Sequence, residues 1–311
     1  MSGATGSLAG PRPFYRGVTG VGTAFGVFGE LLQGVLPEPE GDFLVTLPIA
    51  RWSVATFRGS ADPGELTVWP RRKTKALRLA RMILADAGRP IGGEITIDSG
   101  LPEGKGMASS SADLVATARA VANALGITLP PRRIENFLAR IEPTDGVLYA
   151  AVVAFYHRRV ALHSVLGSLP PMTVVGVDEG GEIDTVEFNR IPKPFTAADR
   201  REYAGLLARM AEAVGRRDLA GVGRVATRSA LMNQVLRPKA TLERVLGVCE
   251  DVGGLGVVAA HSGTSLGVLL DPAVPGYPDQ VAAAAGACSS IAGNVAVYRC
   301  LSFDGMGMGR R

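Results

Sequence analysis

The segment Pro102-Glu103-Gly104-Lys105-Gly106-Met107-Ala108-Ser109-Ser110-Ser111-Ala112-Asp113 sets two glycines around a lysine and follows them with three consecutive serines. A β-prone run at 95–97 precedes it and an alanine-rich stretch follows, so it reads as a strand-to-helix connection. Glycines in such a place let the backbone approach an anion and adopt torsions that side chains resist. The N–H groups at the helix start, with the dipole behind them, favour negative charge. Serine hydroxyls in the first turn can bond a phosphate oxygen or ligate Mg²⁺. The string is not Gly-x-x-x-x-Gly-Lys-Ser/Thr, because Lys105 stands between glycines rather than before a hydroxyl. A plain turn with a serine-capped helix accounts for the glycines and one serine, but three serines exceed what a cap requires.

Other residues could act with this loop. Glu142-Pro143-Thr144-Asp145 offers two carboxylates beside a proline, which alone is ordinary turn chemistry. Ser262-Gly263-Thr264 lies between two strand-like runs, as a hairpin turn or as a place where backbone N–H groups line an anion or carboxylate site. Glu30 and Gln33 follow a glycine turn and could address an ammonium or a hydroxyl. Residues 71–75 carry four cations near a helix start, within reach of a nucleotide or simply solvated, and His261 alone reads as structural.

The elements that must position these groups alternate in type. Residues 16–28 predict a strand running into a tight turn at 25–30. Residues 43–57 predict a second strand with a bulge or edge position at Pro48, and 66–69 a short strand closed by Pro70. Helices are expected at 74–87, 112–125 and 131–141, the last halted by Pro143. Strands at 160–165 and 172–177 follow. The second half reads as helices at 197–214, 219–234 and 239–252, strands at 255–260 and 265–270, a helix at 278–288 and a strand at 294–300. This order predicts an α+β fold in two domains, 13–169 and 170–304, divided at Pro170-Pro171, with a disordered leader at 1–12 and a flexible tail at 305–311.

Composition narrows the class. Of 311 residues 47% are hydrophobic and 20% charged, and the net charge of +4 is spread in small groups. Aromatics at 6% without basic interleaving exclude a nucleic-acid platform, and no apolar run reaches membrane-spanning length. The odd set Cys249, Cys288 and Cys300 predicts neither disulfides nor a zinc site, and a reducing cytoplasm is the expected location.

Four motifs in order resemble one family. Pro102, Gly106, Met107, Ala108, Ser109, Ser110 and Ser111 follow the central motif of the GHMP kinases. Gly29-Glu30-Leu31-Leu32-Gln33-Gly34, Glu142-Pro143-Thr144-Asp145 and Ala260-His261-Ser262-Gly263-Thr264 resemble the L-threonine kinase branch, which is linked to cobalamin side-chain synthesis. The resemblance implies the two-domain GHMP fold, with an N-terminal domain like ribosomal protein S5 and a ferredoxin-like C-terminal domain. It implies transfer of the γ-phosphoryl group of ATP to the hydroxyl of L-threonine or a related hydroxy amino acid, with Mg²⁺. Pro102, Gly104, Lys105, Gly106, Met107, Ala108, Ser109, Ser110 and Ser111 would hold ATP. Asp145 would be the catalytic carboxylate, Ser110 a catalytic and metal-ligating hydroxyl, and Glu135 the acidic metal ligand with Glu142 as competitor. Glu30, Gln33, Thr144, Ser262, Gly263 and Thr264 would face the acceptor. Small molecules are the implied partners, and a homodimer is compatible with the resemblance.

Two stretches depart from the branch. Phe25 and Phe28 replace small polar residues, and Ala50 stands where a carboxylate is usual, which predicts an acceptor pocket with added apolar bulk. A different small alcohol (homoserine-like, for instance) and a ligand-binding GHMP fold without catalysis are therefore the competing expectations.

Overall fold

The computed structural model describes residues 17–39, 41–60, 64–181 and 191–304. The expected leader at 1–12 and tail at 305–311 lie outside the described residues. Two long strands, β1 (Val18–Val35) and β2 (Asp42–Gly59), form the antiparallel spine. β3 (Leu66–Trp69), α1 (Thr74–Asp86), β4 (Gly93–Ser99), α2 (Ser109–Leu125), α3 (Pro131–Leu138), β5 (Val152–Tyr156) and β6 (Ala161–Gly167) follow. The second half supplies β7 (Thr173–Asp178), α4 (Ala197–Arg216), α5 (Leu219–Met232), α6 (Leu242–Asp251), β8 (Gly256–Ala259), β9 (Ser265–Leu270), α7 (Tyr277–Ser289) and β10 (Asn294–Arg299).

Among the described residues ten strands join one mixed sheet in the order β10-β7-β9-β8-β1-β2-β4-β3, with β5 and β6 branching from β2. Only β3 and β4 pair in parallel among the described residues. The halves meet where Glu30 of β1 pairs with Ala259 of β8, so the strand carrying Glu30 also joins the two parts of the sheet. The Pro170-Pro171 division falls between β6 and β7.

Residues 25–30 form no turn. β1 runs on to Val35 and absorbs the glycines in register shifts at Phe25/Gly26, Val27/Glu30 and Glu30/Leu32. Pro48 pairs with Val27 inside this irregular stretch, where its missing donor costs no regular ladder bond. α3 stops at Leu138 rather than 141, where the chain tightens into i→i−3 bonds from Arg140 to Phe137 and from Ile141 to Leu138 ahead of Pro143. β5 occupies the apolar run at 152–156, where no strand was expected.

α2 lies buried across β1, and its alanines at 116, 120 and 124 face that strand for a geometric reason. A Cβ on Gly20 would sit 2.3 Å from the Ala120 carbonyl oxygen, and one on Gly22 2.2 Å from that of Ala116. Glycines in the strand and alanines in the helix let the backbones touch, which fixes the helix start relative to β1. Gly22→Ala is expected to lower unfolding free energy by about 2–3 kcal/mol through overpacking. Urea unfolding checks this, and unchanged stability would contradict the close packing.

Candidate active site

The strand-to-helix loop has the geometry its composition demands. Gly104, Gly106 and Ala108 have φ of 73°, 81° and 54°, with Lys105 and Met107 outside the left-handed region between them. Alternation of this kind turns successive N–H groups towards one side, a concave cradle for an anion. α2 then starts at Ser109, with no side chain capping it. No side chain therefore accepts from the helix's first N–H groups, and the three serines of the first turn line the cavity. Ala108 lacks glycine's freedom, so its torsion is held by neighbours: Val27 donates to the Met107 carbonyl (3.3 Å) and Gly29 to that of Gly106 (3.1 Å).

The loop walls a cavity of about 410 Å³. On one side Lys73 sits between Glu103 (2.6 Å) and Asp113 (2.5 Å), and Asp113 accepts a further bond from Ser53 Oγ (2.6 Å). Burial opposes the Lys73 charge, but the two carboxylates outweigh it and hold its ammonium above the ordinary range. Lys75 pairs with Glu142 Oε2, and Ser110 donates its hydroxyl to Glu142 Oε1. Three cations, Arg72, Lys73 and Lys75, thus line the end nearest α1.

Asp145 lines the same cavity. Ser111 Oγ accepts from the Asp145 backbone N–H (3.1 Å) and donates to its Oδ2 (3.4 Å), which fixes the carboxylate one residue from the phosphate turn. Burial pushes Asp145 up to about 6, against the Ser111 bond and with help from the Glu142 charge. Glu30 is buried beside it with Oε2 unpartnered. Burial first, then the Asp145 charge, raises Glu30 well above the usual range, although the His261 backbone N–H and Lys239 oppose this. His261 is held neutral by burial and by His157, whose ring centroid lies 5.1 Å away. Since Gln33 Nε2 donates to the Ala259 carbonyl (3.1 Å), its Oε1 accepts from His261 Nδ1–H (2.7 Å). Among the described residues no three of His, Cys, Asp and Glu gather as a metal site. Ser110 and Glu142 offer hard oxygens side by side, which suits Mg²⁺, an ion that takes its remaining ligands from phosphates and water.

The chain matches the GHMP kinases N terminal domain over residues 74–157. It is 30% identical over 250 residues to an L-threonine kinase of Salmonella typhimurium, covering 78% of this chain and 80% of the relative. The chain belongs to the GHMP kinase family. An L-threonine kinase of Citrobacter freundii is 29% identical over 248 residues, covering 78% of this chain and 83% of that one. A homoserine kinase from Cytophaga hutchinsonii superposes with a TM-score of 0.70 at 18% identity, over 94% of this chain and 96% of that one. A mevalonate diphosphate decarboxylase from Staphylococcus aureus gives 0.72 at 14%, over 92% and 97%. These two distant structures speak for the fold. As a GHMP kinase, the protein is a phosphotransferase acting on an alcohol group.

In this GHMP kinase Gly104, Gly106, Met107, Ala108, Ser109, Ser110, Ser111, Thr144, Asp145, Glu30 and Ser262 all line the one cavity. Other candidates do not. Pro102 is exposed outside it, and Lys105 turns away to Asp178 (2.8 Å). Gln33 spends its amide on Ala259 and His261. Gly263 packs against the Gly106 backbone, and Thr264 bonds Asp178. Glu135 is buried and absent from the cavity lining, accepting from Tyr149 Oη (2.7 Å) and the Leu162 N–H (3.0 Å), while Glu142, the expected competitor, lines the cavity and faces Ser110.

Phe25 and Phe28 also lie outside the cavity. Phe25 packs on Trp52 and Phe303, Phe28 packs on Tyr298, and Ala50 is exposed on β2. The expected apolar enlargement of the acceptor pocket is therefore absent from its walls. His157 had no sequence signal as a cavity residue, whereas Asp113 closes the loop segment singled out in the sequence, and Lys73 and Lys75 belong to a charge group already noticed as within reach of a nucleotide.

Proposed function

We propose that this GHMP kinase transfers the γ-phosphoryl group of ATP to the hydroxyl of L-threonine, giving O-phospho-L-threonine and ADP. The observation that carries the reading is the pair of hydrogen bonds between Ser111 Oγ and Asp145, which joins the phosphate turn to the carboxylate in one cavity. Catalysis of this type is positioning plus neutralisation of the transferring group. The N–H groups of the 104–111 loop and the start of α2 hold the phosphates, and Lys73 and Lys75 offset their charge. Ser110 and Glu142 would hold Mg²⁺, which supplies charge neutralisation when bound. Asp145 takes the threonine hydroxyl proton on a carboxylate oxygen as the new O–P bond forms and the bond to ADP breaks. Leu44, Met107 and Leu114 in the walls keep water from the transfer.

Glu30 is the acidic group for the ammonium of the acceptor. Its unpartnered Oε2 would otherwise be a buried polar atom without compensation, and an arriving ammonium favours its ionised form. The three cysteines are free thiols, which supports a reducing, cytoplasmic setting, and the resemblance of the four motifs to the L-threonine kinase branch is what suggests a place in cobalamin side-chain synthesis.

ADP release with L-threonine, L-serine, L-homoserine and the corresponding hydroxy acids tests the reading, with mass spectrometry of the product. If no hydroxy amino acid stimulates turnover above ATP alone, the acceptor assignment fails. Glu30→Gln is expected to raise KM for L-threonine by about tenfold, the scale of one charge-assisted bond, with KM for ATP unchanged. An equal rise in both constants would remove Glu30 from the acceptor side.

A further inference from the structure

Lys105 is the one lysine of the phosphate loop, yet its ammonium does not line the cavity. It pairs with Asp178 Oδ2 and donates to the Gly181 carbonyl, both at 2.8 Å, in a pair whose side chains are 21% and 20% exposed. Asp178 is the last residue of β7 and stands opposite Ser265, the first residue of β9. Its other oxygen, Oδ1, accepts from Thr264 Oγ1 and from the Gly180 N–H (3.0 Å). A single carboxylate therefore binds the phosphate loop with one oxygen and the 262–264 loop with the other. The two loops already touch through their backbones: a Cβ on Gly263 would lie 2.3 Å from Gly106 N and from Lys105 C. Lys239, buried behind them, donates to the Gly263 carbonyl.

We propose that Asp178 is a positioning residue that ties the phosphate loop to the 262–264 loop, with Lys105 acting as a strut and not as a phosphate ligand. Two observations favour the strut. Ala108 holds a left-handed torsion that a residue with a side chain resists, so the loop needs support beyond the two bonds β1 supplies. Moreover, Arg72, Lys73 and Lys75 already bring three cations to the cavity, whereas Lys105 would have to leave two partners to reach it. The inference rests on the reading of this loop as the ATP site.

The test is a double-mutant cycle of Asp178→Asn and Lys105→Met, with Lys105→Arg as the conservative variant. Asparagine keeps an acceptor for Thr264 and removes only the charge. Each single change is expected to raise KM and Kd for ATP about tenfold, with kcat at saturating ATP near wild type. The double variant should be no worse than either single one, and Lys105→Arg should bind ATP as wild type does. If Lys105 instead contacts phosphate, Asp178→Asn releases it: ATP binding then stays the same or tightens, while Lys105→Met alone weakens binding and lowers kcat. That pattern, or strictly additive effects, overturns the proposal. Thermal unfolding of the same four proteins without nucleotide reads the coupling separately. Non-additive unfolding with no ATP binding in the wild type would sink the kinase reading and keep the strut.

Discussion

Asp145→Asn is expected to lower kcat by about three orders of magnitude, the scale of a lost general base, while Kd for ATP stays near wild type. Calorimetry with Mg·ATP and ADP-release kinetics separate the two. The structure gives the reason for the split: the phosphate cradle is backbone, held by β1 and by close packing, whereas Asp145 contributes a single carboxylate held by Ser111. Its burial also sets a pH dependence. With a value of about 6, Asp145 loses its role as proton acceptor as pH falls through 6, so turnover should decline from pH 7 to 5.

The same shift fixes a sign for stability. Because the folded value lies above the ordinary 3.8, the folded chain holds this proton more tightly than the unfolded chain. Folding is therefore favoured by protonation below about pH 4, and that contribution is lost as pH rises through 6. At pH 7 the ionised, half-buried carboxylate is a cost that asparagine does not carry. Asp145→Asn should be more stable than wild type at pH 7 by about 1–3 kcal/mol, with the gap closing near pH 4. Thermal unfolding across that range measures it. A variant that is both less stable at pH 7 and still active would remove Asp145 from the chemistry. Glu30, raised by burial and by the Asp145 charge, belongs to the same trade of stability for a poised acceptor pocket.

The glycines and serines of the loop were readable because a backbone torsion or a helix start demands those residue types. Gly104 and Gly106 take the left-handed torsions they were expected to allow, and the serines fill the first turn of α2. Side-chain direction was far less legible. In a regular strand alternate residues share a face, but the register shifts in β1 between Phe25 and Leu32 break that rule. Phe25 and Phe28 therefore turn to the core while Glu30 reaches the cavity, which no period-two count over 25–32 could reveal. Lys105 is a similar case. Nothing in Gly-Lys-Gly says which side of the loop the lysine leaves from, and its partner Asp178 is remote in sequence.

Glu135 and Glu142 show the same limit and give the sharpest remaining test. Glu142→Ala is expected to lower kcat/KM by about a hundredfold or more and to raise the Mg²⁺ concentration needed for half-maximal turnover, with little loss of stability. Its carboxylate meets the Ser110 hydroxyl and Lys75 at the cavity wall, so removing it takes an oxygen from the phosphate end without opening the core. Glu135→Ala should do the reverse. That carboxylate, 4% exposed, accepts from Tyr149 Oη and from the backbone N–H of Leu162 in β6, so its loss orphans two donors. The expected cost is about 2–3 kcal/mol of unfolding free energy, with the Mg²⁺ requirement unchanged. Thermal unfolding and Mg²⁺ titration of ADP release on both variants decide the matter. A Mg²⁺ shift in the Glu135 variant and none in the Glu142 variant would reverse the assignment. The spacing to Asp145 in sequence favoured Glu135, but α3 ends at Leu138 ahead of Pro143, and it is the non-helical segment after it that carries Glu142 to the start of α2.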